Sequence, residues 1–213
     1  MHRLFLKNMI NLIDLFLHLD KYIGLMIQNY GTLTYLIMFF VIFSETGFVL
    51  FTFFPGDTLL FVAGTFASIG AIKIYWLFII LSSAAILGDN LNYSIGKYFG
   101  EAILTRKRWV KEKNLEKTRK FFEKNGAKTI ILARFIPIIR SLAPFVAGIS
   151  EMKYKKFFSY NIIGGVLWVI LMLTLGYFFG SIPFVKNNLS MIIIGIVILS
   201  WVPAIVAWAK REK

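Results

Sequence analysis

The sequence contains no cysteine and only two histidines among its 213 residues. Without cysteine the chain has no disulfide framework, no thiolate metal site and no thiol nucleophile. His2 and His18 form no metal-ligating constellation, so we expect no metal and no cofactor. Acidic residues are also scarce: 11 Asp and Glu stand against 24 Lys and Arg, which gives a formal net charge of +13.

Apolar residues are abundant. They make up 58% of the chain, aromatic residues make up 17%, and the mean hydropathy is +0.71. These values lie far outside the range of soluble domains. The basic residues are concentrated between the apolar stretches and do not form the aromatic-interleaved stripe of a nucleic-acid binder. We therefore expect an all-α polytopic membrane protein that binds no nucleic acid.

The N-terminal residues 1–31 predict an amphipathic helix that lies at the membrane interface. Polar residues recur there at helical spacing among apolar ones: Lys7, Asn11, Asp14, His18 and Lys21. Because several of these charges interrupt what would be the apolar core of a signal peptide, we expect the N-terminus to be retained. The side of the membrane on which it lies stays open.

Three stretches have the length of about 20 apolar residues that a helix needs to cross a bilayer: residues 74–95, 158–180 and 190–208. Two further apolar tracts are interrupted. Residues 33–72 are about twice as long as a span and are broken at Pro55 and Gly56. Residues 129–149 have the length of one span, and we expect helix breaks in them at Pro137 and Pro144.

Loop charge predicts the topology. The segment 97–128 carries eleven Lys and Arg residues, and the tail 209–213 is also basic, so the positive-inside rule places both in the cytoplasm. Counting back from the tail, the basic residues at 153–156 are cytoplasmic as well. Both ends of residues 129–149 then face the cytoplasm, and we predict a re-entrant helical hairpin that turns near Pro137.

A short internal repeat extends this prediction to the first half of the chain. Residues 54–64 read FPGDTLLFVAG and residues 136–148 read IPIIRSLAPFVAG, and each is followed by a span. The two spans run in opposite directions, so each half is a hairpin followed by a span, related by inverted topology. This arrangement, here with an extra C-terminal span, is typical of secondary transporters, whose sites form at mid-membrane from broken helices. Residues 32–208 would form one membrane domain.

Four charges fall inside these interrupted tracts: Glu45, Asp57, Arg134 and Arg140. Ionisable residues at membrane depth usually mark a transport or proton pathway. If the hairpin tips meet, two carboxylates face two guanidiniums. Guanidinium binds phosphate oxygens bidentately, so we assign the two arginines to substrate phosphate. Carboxylates at low dielectric suit proton binding and release, so we assign the two acids to proton coupling.

Other interpretations of these residues remain open. The four charges could form a structural salt-bridge cluster that only locks the hairpins together. Asp89, near the cytoplasmic end of residues 74–95, suits a solvated cap or a secondary position in the site equally well. Trp168 is expected to be a packing or interface anchor.

The run from Glu45 through FPGDTLLFVAG, the Gly88-Asp89-Asn90 step and ILARFIPIIRSLAPFVAG resembles the DedA family of bacterial inner-membrane proteins. This family is also described by its VTT or SNARE-associated Golgi domain. The similarity covers nearly the whole chain and is greatest to a Gram-negative branch of the family. It implies the movement of phospholipids such as undecaprenyl phosphate, with dependence on proton-motive force. The essential acidic and arginine pairs of the family would correspond to Glu45, Asp57, Arg134 and Arg140.

We therefore predict a translocase for a phosphate-bearing lipid in the bacterial inner membrane, with a cytoplasmic C-terminus. Its partners would be membrane lipids and protons, and the sequence is compatible with a homo-oligomer. The alternative is a proton-coupled exporter of small cations or drugs, in which the acids bind the substrate and the arginines tune them. A membrane enzyme acting on lipid phosphates is disfavoured, since no cysteine or histidine near the arginines could serve as a nucleophile.

Overall fold

The structure, a computed structural model, describes residues 19–49, 56–106 and 128–180, together with residues 182, 183, 191 and 195. Within these ranges the chain is helical, and no strand is present. The helices, in chain order, are α1 (Leu19–Tyr30), α2 (Leu33–Gly47), α3 (Gly56–Ser68), α4 (Ile74–Arg106), α5 (Lys128–Ala133), α6 (Pro137–Ile149) and α7 (Tyr154–Phe179).

Two of these helices are long and apolar enough to cross a membrane: Ile74–Gly100 within α4, and α7. Both exceed the predicted spans, because α4 continues to residue 106 instead of ending near residue 95, and α7 begins at residue 154 instead of 158. Large apolar side chains remain exposed on α4 and α7, among them Ile79, Leu87 and Ile163. Such a surface suits contact with lipid. Residues 1–18, most of the basic segment 97–128 and all of the predicted span 190–208 except residues 191 and 195 lie outside the described residues.

Four shorter helices fill the two interrupted tracts. α2 and α3 fall within residues 33–72, while α5 and α6 fall within residues 129–149 apart from the first residue of α5. At 1.5 Å per residue, the 13 residues of α3 and of α6 measure about 20 Å, less than the hydrocarbon thickness of about 30 Å. The break before α6 occupies residues 134–136, and Pro137 is the first residue of that helix, where its missing N–H costs nothing.

Pro144 does not break the second tract. It lies inside α6, which continues to Ile149. A proline removes one helical hydrogen bond, which can be tolerated in a membrane helix where neighbouring helices supply other partners. The prediction of a break at Pro144 is therefore wrong. Pro55 lies outside the described residues, and Gly56 is the first residue of α3.

The helices of the two halves pack crosswise. α4 packs chiefly against α2 and α6, and α7 packs chiefly against α3. Small residues permit this close approach: a Cβ added to Gly176 of α7 would collide with the carbonyl oxygen of Phe61, and one added to Gly96 of α4 would collide with that of Phe145. Each FVAG sequence thus lies against the glycine-rich end of the long helix in the other half.

The apolar core lies between α2, α3, α4 and α7. Its largest wholly buried members include Ile42, Leu60, Leu81 and Trp168. A second cluster joins α5 and α6 to α4 and α7, and it contains Ile130, Ala147, Tyr93 and Phe157. Within it the rings of Tyr93 and Phe157 stack with centroids 4.4 Å apart. Buried charges lie beside these clusters and define the site.

Candidate functional site

Arg140 is held by two carboxyl groups. From α6 its Nη1 donates a hydrogen bond to Oδ1 of Asp57 on α3 at 2.7 Å, and its Nη2 donates to Oε1 of Glu45 on α2. All three residues are buried. The predicted meeting of residues 54–57 with residues 136–140 is thus observed at Asp57 and Arg140. One guanidinium thus joins α6 to two helices whose contacting residues lie 95 and 83 residues earlier in the sequence.

Trp168 completes this group from α7. Its indole Nε1 donates a hydrogen bond to Oδ1 of Asp57 at 2.7 Å, and its ring lies 4.7 Å from Cζ of Arg140. A cation over an indole ring is attracted by the ring quadrupole, more strongly when water is excluded. Trp168 is wholly buried, so its assignment as a packing residue is incomplete: it also positions both charges.

Arg134 belongs to a second group. It follows α5, and its Nη2 donates hydrogen bonds to Oδ2 of Asp89 on α4 and, at 2.5 Å, to Oδ1 of Asn161 on α7. Asn161 is fixed in turn, because its Nδ2 donates to the carbonyl oxygen of Ile86 at 3.0 Å. Asp89 is therefore not a solvated cap: its side chain is only 4% exposed and has a guanidinium partner.

This division corrects the expectation that two acids would face two arginines. Glu45 and Asp57 both bind Arg140, and Arg134 binds Asp89 instead. Arg134 follows α5, which packs against α6 and α7, and α7 packs in turn against α3 and α4. In this position Arg134 reaches Asp89 of α4 and Asn161 of α7 instead of Glu45 or Asp57.

Glycines make room for the buried charges. A Cβ on Gly56 would overlap the carboxyl group of Glu45, and a Cβ on Gly164 would lie 3.1 Å from Cδ of Arg134. A Cβ on Gly165 would lie 3.4 Å from Cζ of the same arginine. Because Gly56 has no side chain, the carboxyl group of Glu45 can occupy the space that a side chain at this position would fill.

Asn92 links the helices beside the Arg140 group. From α4 its Nδ2 donates to the carbonyl oxygens of Thr46, at 3.1 Å, and Ser141, at 2.7 Å. These acceptors follow Glu45 and Arg140 directly in sequence. We did not predict from the sequence that Asn92, Asn161 or Trp168 belongs to the site. The available signal was polarity inside a predicted span: Asn92 lies within residues 74–95, three residues after Asp89, and Asn161 lies within residues 158–180.

The site is closed. Arg134 and Arg140 are 4% and 6% exposed, yet the Nε atoms of both arginines, Oε2 of Glu45 and the hydroxyl of Ser141 have no hydrogen-bond partner among the described residues. Within the same part of the chain no three His, Cys, Asp or Glu residues are grouped so that they could hold a metal ion. An anion can bind the Nη groups of these arginines only if the carboxyl groups that now occupy them move away.

Comparison with known proteins agrees with this architecture. Residues 54–178 match the model of the VTT domain. The chain is 45% identical over 206 residues to Protein DedA of Escherichia coli K12, which covers 95% of this chain and 94% of that protein. It is 42% identical to an uncharacterized membrane protein of Mycobacterium leprae, over 78% of this chain and 76% of that protein.

A more distant relative is the inner membrane protein YghB of Escherichia coli K12, at 32% identity over 79% of this chain and 78% of that protein. No solved structure matches the chain. The VTT match includes Asp57, Asp89, Arg134 and Arg140 but begins after Glu45, and the match to Protein DedA extends over nearly the whole sequence. The chain therefore belongs to the DedA family of VTT-domain membrane proteins, close to the branch that contains the Escherichia coli protein.

Proposed function

We propose that this protein translocates a phosphate-bearing lipid, such as undecaprenyl phosphate or a phospholipid, across the bacterial inner membrane, and that this movement is coupled to protons. The observation that carries this proposal is the buried guanidinium of Arg140, which two carboxyl groups from two different short helices hold at once. Guanidinium binds phosphate and carboxylate in the same forked geometry. A lipid phosphate and the two acids therefore compete for one group.

Competition of this kind couples two ligands. Protonation of Glu45 or Asp57 weakens its ion pair with Arg140, which frees the guanidinium for phosphate. Release of the phosphate lets the displaced carboxyl group return to Arg140. Arg134 would act in the same way with Asp89 as its displaced partner, which adds a third acid to the two assigned from the sequence. No bond to phosphorus breaks in this cycle, so we propose a transporter and not an enzyme.

We also propose that the short helices form re-entrant hairpins. In the first half, Tyr35 near the start of α2 accepts a hydrogen bond from the backbone N–H of Lys73, just before α4, at 2.8 Å. The two ends of the tract 33–72 therefore lie together. In the second half, Ile130 near the start of α5 shares one buried cluster with Ala147 near the end of α6. Each pair of helices supports a turn back towards its own side of the membrane.

The crosswise glycine contacts support an inverted repeat. Gly64 of the first FVAG lies against the carbonyl oxygen of Leu173 on α7, and Gly148 of the second lies against that of Tyr93 on α4. Equivalent residues of the two halves thus make equivalent contacts. In secondary transporters such repeats allow access to alternate between the two sides of the membrane around a central site. We place the C-terminus in the cytoplasm on the loop charges given above.

The test is reconstitution into liposomes. We expect wild-type protein to accelerate the flipping of labelled undecaprenyl phosphate or phosphatidylethanolamine, and Arg140→Ala to abolish that acceleration. Arg140→Lys is the matched variant, because it keeps the charge but loses the fork, and we expect it to retain only a small part of the rate. Lys155→Ala, at an exposed position on α7, should behave as wild type. Wild-type flipping of both lipids at the rate of Arg140→Ala would refute the proposal.

A cation exporter is the second candidate, and the surplus of carboxyl groups over guanidiniums in the site favours it. In that function a cation, and not a phosphate, would occupy the space between Glu45 and Asp57. Purified protein would then release protons when a small organic cation is added, and Asp57→Asn would abolish the release. A lipid translocase shows no such release, so the two candidates give opposite results.

A further inference from the structure

The buried charges of this protein do not balance. The described residues bury three carboxyl groups and two guanidiniums: Glu45, Asp57, Asp89, Arg134 and Arg140. The neighbouring segment 50–55 reads LFTFFP and contains no ionisable residue. With every group ionised, the site would carry one negative charge in excess. A buried charge without a partner is strongly disfavoured, and such a group tends to become neutral instead.

The excess belongs to the Arg140 group. Arg134 and Asp89 form a pair with one charge of each sign, and Asn161 supplies the neutral third member. Arg140 alone faces two carboxyl groups. One proton on either Glu45 or Asp57 would therefore bring the whole site to neutrality.

The two acids differ in their surroundings. Oδ1 of Asp57 receives two donors, the guanidinium of Arg140 and the indole N–H of Trp168, and donated hydrogen bonds stabilise a charged carboxylate. The side chain of Asp57 is also 12% exposed, whereas that of Glu45 is not exposed at all. Oε2 of Glu45 has no hydrogen-bond partner of good geometry among the described residues, and the one further donor that acts on this carboxyl group is the backbone N–H of Gly56.

We propose that the resting protein binds one proton at Oε2 of Glu45, while Asp57 and Asp89 stay ionised. The charged groups that act on Glu45 are Arg140 from α6 and Asp57 from α3. Helices α1 and α4, which also pack against α2, add none among the described residues. A neutral hydroxyl without a partner costs far less than a buried charge without one. Asp57 then serves to hold Arg140 in place, and Glu45 is the group that exchanges the proton.

This inference deepens the proposed function, because the proton on Glu45 is the one that would be exchanged during lipid movement. Its test is independent of transport. Infrared spectroscopy of the purified protein in lipid nanodiscs detects the C=O stretch of a protonated carboxyl group. The assignment comes from wild-type protein grown with carboxyl-labelled ¹³C-glutamate or ¹³C-aspartate, which needs no substitution that could prevent folding.

At neutral pH we expect one protonated carboxyl band, which shifts with the glutamate label and not with the aspartate label. Glu45→Gln should abolish the band, whereas Glu151→Gln, at an exposed position, should leave it unchanged. Asp57→Asn should also abolish it although Glu45 is intact, because Arg140 then faces a single carboxylate. Absence of the band in the wild type, or a shift with the aspartate label, would overturn the proposal. If wild-type protein shows the band but does not accelerate lipid flipping, the proposed function is wrong and the protonation of Glu45 stands.

Discussion

Trp168 donates its indole N–H to the same oxygen of Asp57 that Arg140 binds. The tryptophan and the aspartate are 111 residues apart in sequence, on α7 and α3, and meet because these helices pack along glycines. Trp168 lies in an apolar helix, yet it contributes a hydrogen bond to a buried carboxyl group. The group around Arg140 is therefore built from both halves of the chain. Glu45 and Asp57 come from the first half, and Arg140 and Trp168 come from the second.

The Trp168 N–H can be removed without removing the ring. We expect Trp168→Phe to lower the free energy of unfolding by about 1.5–3 kcal/mol, because a buried carboxylate loses a hydrogen bond. Trp168→Ala should cost more, about 3–5 kcal/mol, since it also leaves a cavity and removes the cation–π contact. Trp76→Phe is the matched control, as Trp76 is 47% exposed, and it should stay within about 0.5 kcal/mol of wild type. Chemical unfolding in detergent measures all three, and a Trp168→Phe protein as stable as the control would contradict the role assigned to the N–H.

The Asp89 and Arg134 pair should behave as one unit. We expect Asp89→Asn and Arg134→Gln each to lower the stability by about 3–5 kcal/mol, because each leaves its partner as an uncompensated buried charge. The double variant should lose less than the sum of the two, since neither charge is then left alone. Its coupling energy should lie at about 0.5–3 kcal/mol.

The control for this cycle combines Arg134→Gln with Asp57→Asn. Asp57 binds Arg140 and Trp168, not Arg134, so the two effects should add to within about 0.5 kcal/mol. Additive effects for Asp89 and Arg134 would mean that the two residues do not form the pair described here. Equal coupling in both cycles would mean that the site is a single network and not two groups.

Some contacts of the buried charges could be predicted from the sequence, and others could not. Charges in apolar sequence must find partners, so the meeting of Glu45, Asp57 and Arg140 could be predicted from their positions beside backbone breaks. The partner of Arg134 could not, because it depends on how α5 and α7 lie against α4, which no local pattern records. The long helices were recognisable by composition, but their ends were not: α4 continues through Lys97 because a charge near the end of a membrane helix need not terminate it.

The crosswise packing predicts equal sensitivity at equivalent glycines. Gly96→Ala and Gly176→Ala should each cost about 1–3 kcal/mol or more, because the added methyl group meets a backbone carbonyl that cannot move aside. Gly195→Ala is the control, since a Cβ there meets no described atom within 4 Å. Thermal unfolding in one detergent compares the three. If only one of the two glycines were sensitive, the two contacts would not be equivalent.

The absence of native cysteine makes the topology directly measurable, because any single introduced cysteine is the only site for a thiol reagent. Lys128 and Lys155 flank the second interrupted tract at exposed positions. If residues 129–149 form a re-entrant hairpin, both lysines lie in the cytoplasm. We expect Lys128→Cys and Lys155→Cys to resist a membrane-impermeant maleimide in intact cells whose outer membrane has been permeabilised, and to react after lysis. Lys73→Cys and Ile182→Cys, at the opposite ends of α4 and α7, should react without lysis. Labelling of Lys128→Cys and Lys155→Cys from opposite sides would show that residues 129–149 cross the membrane, and the hairpin would then have to be abandoned.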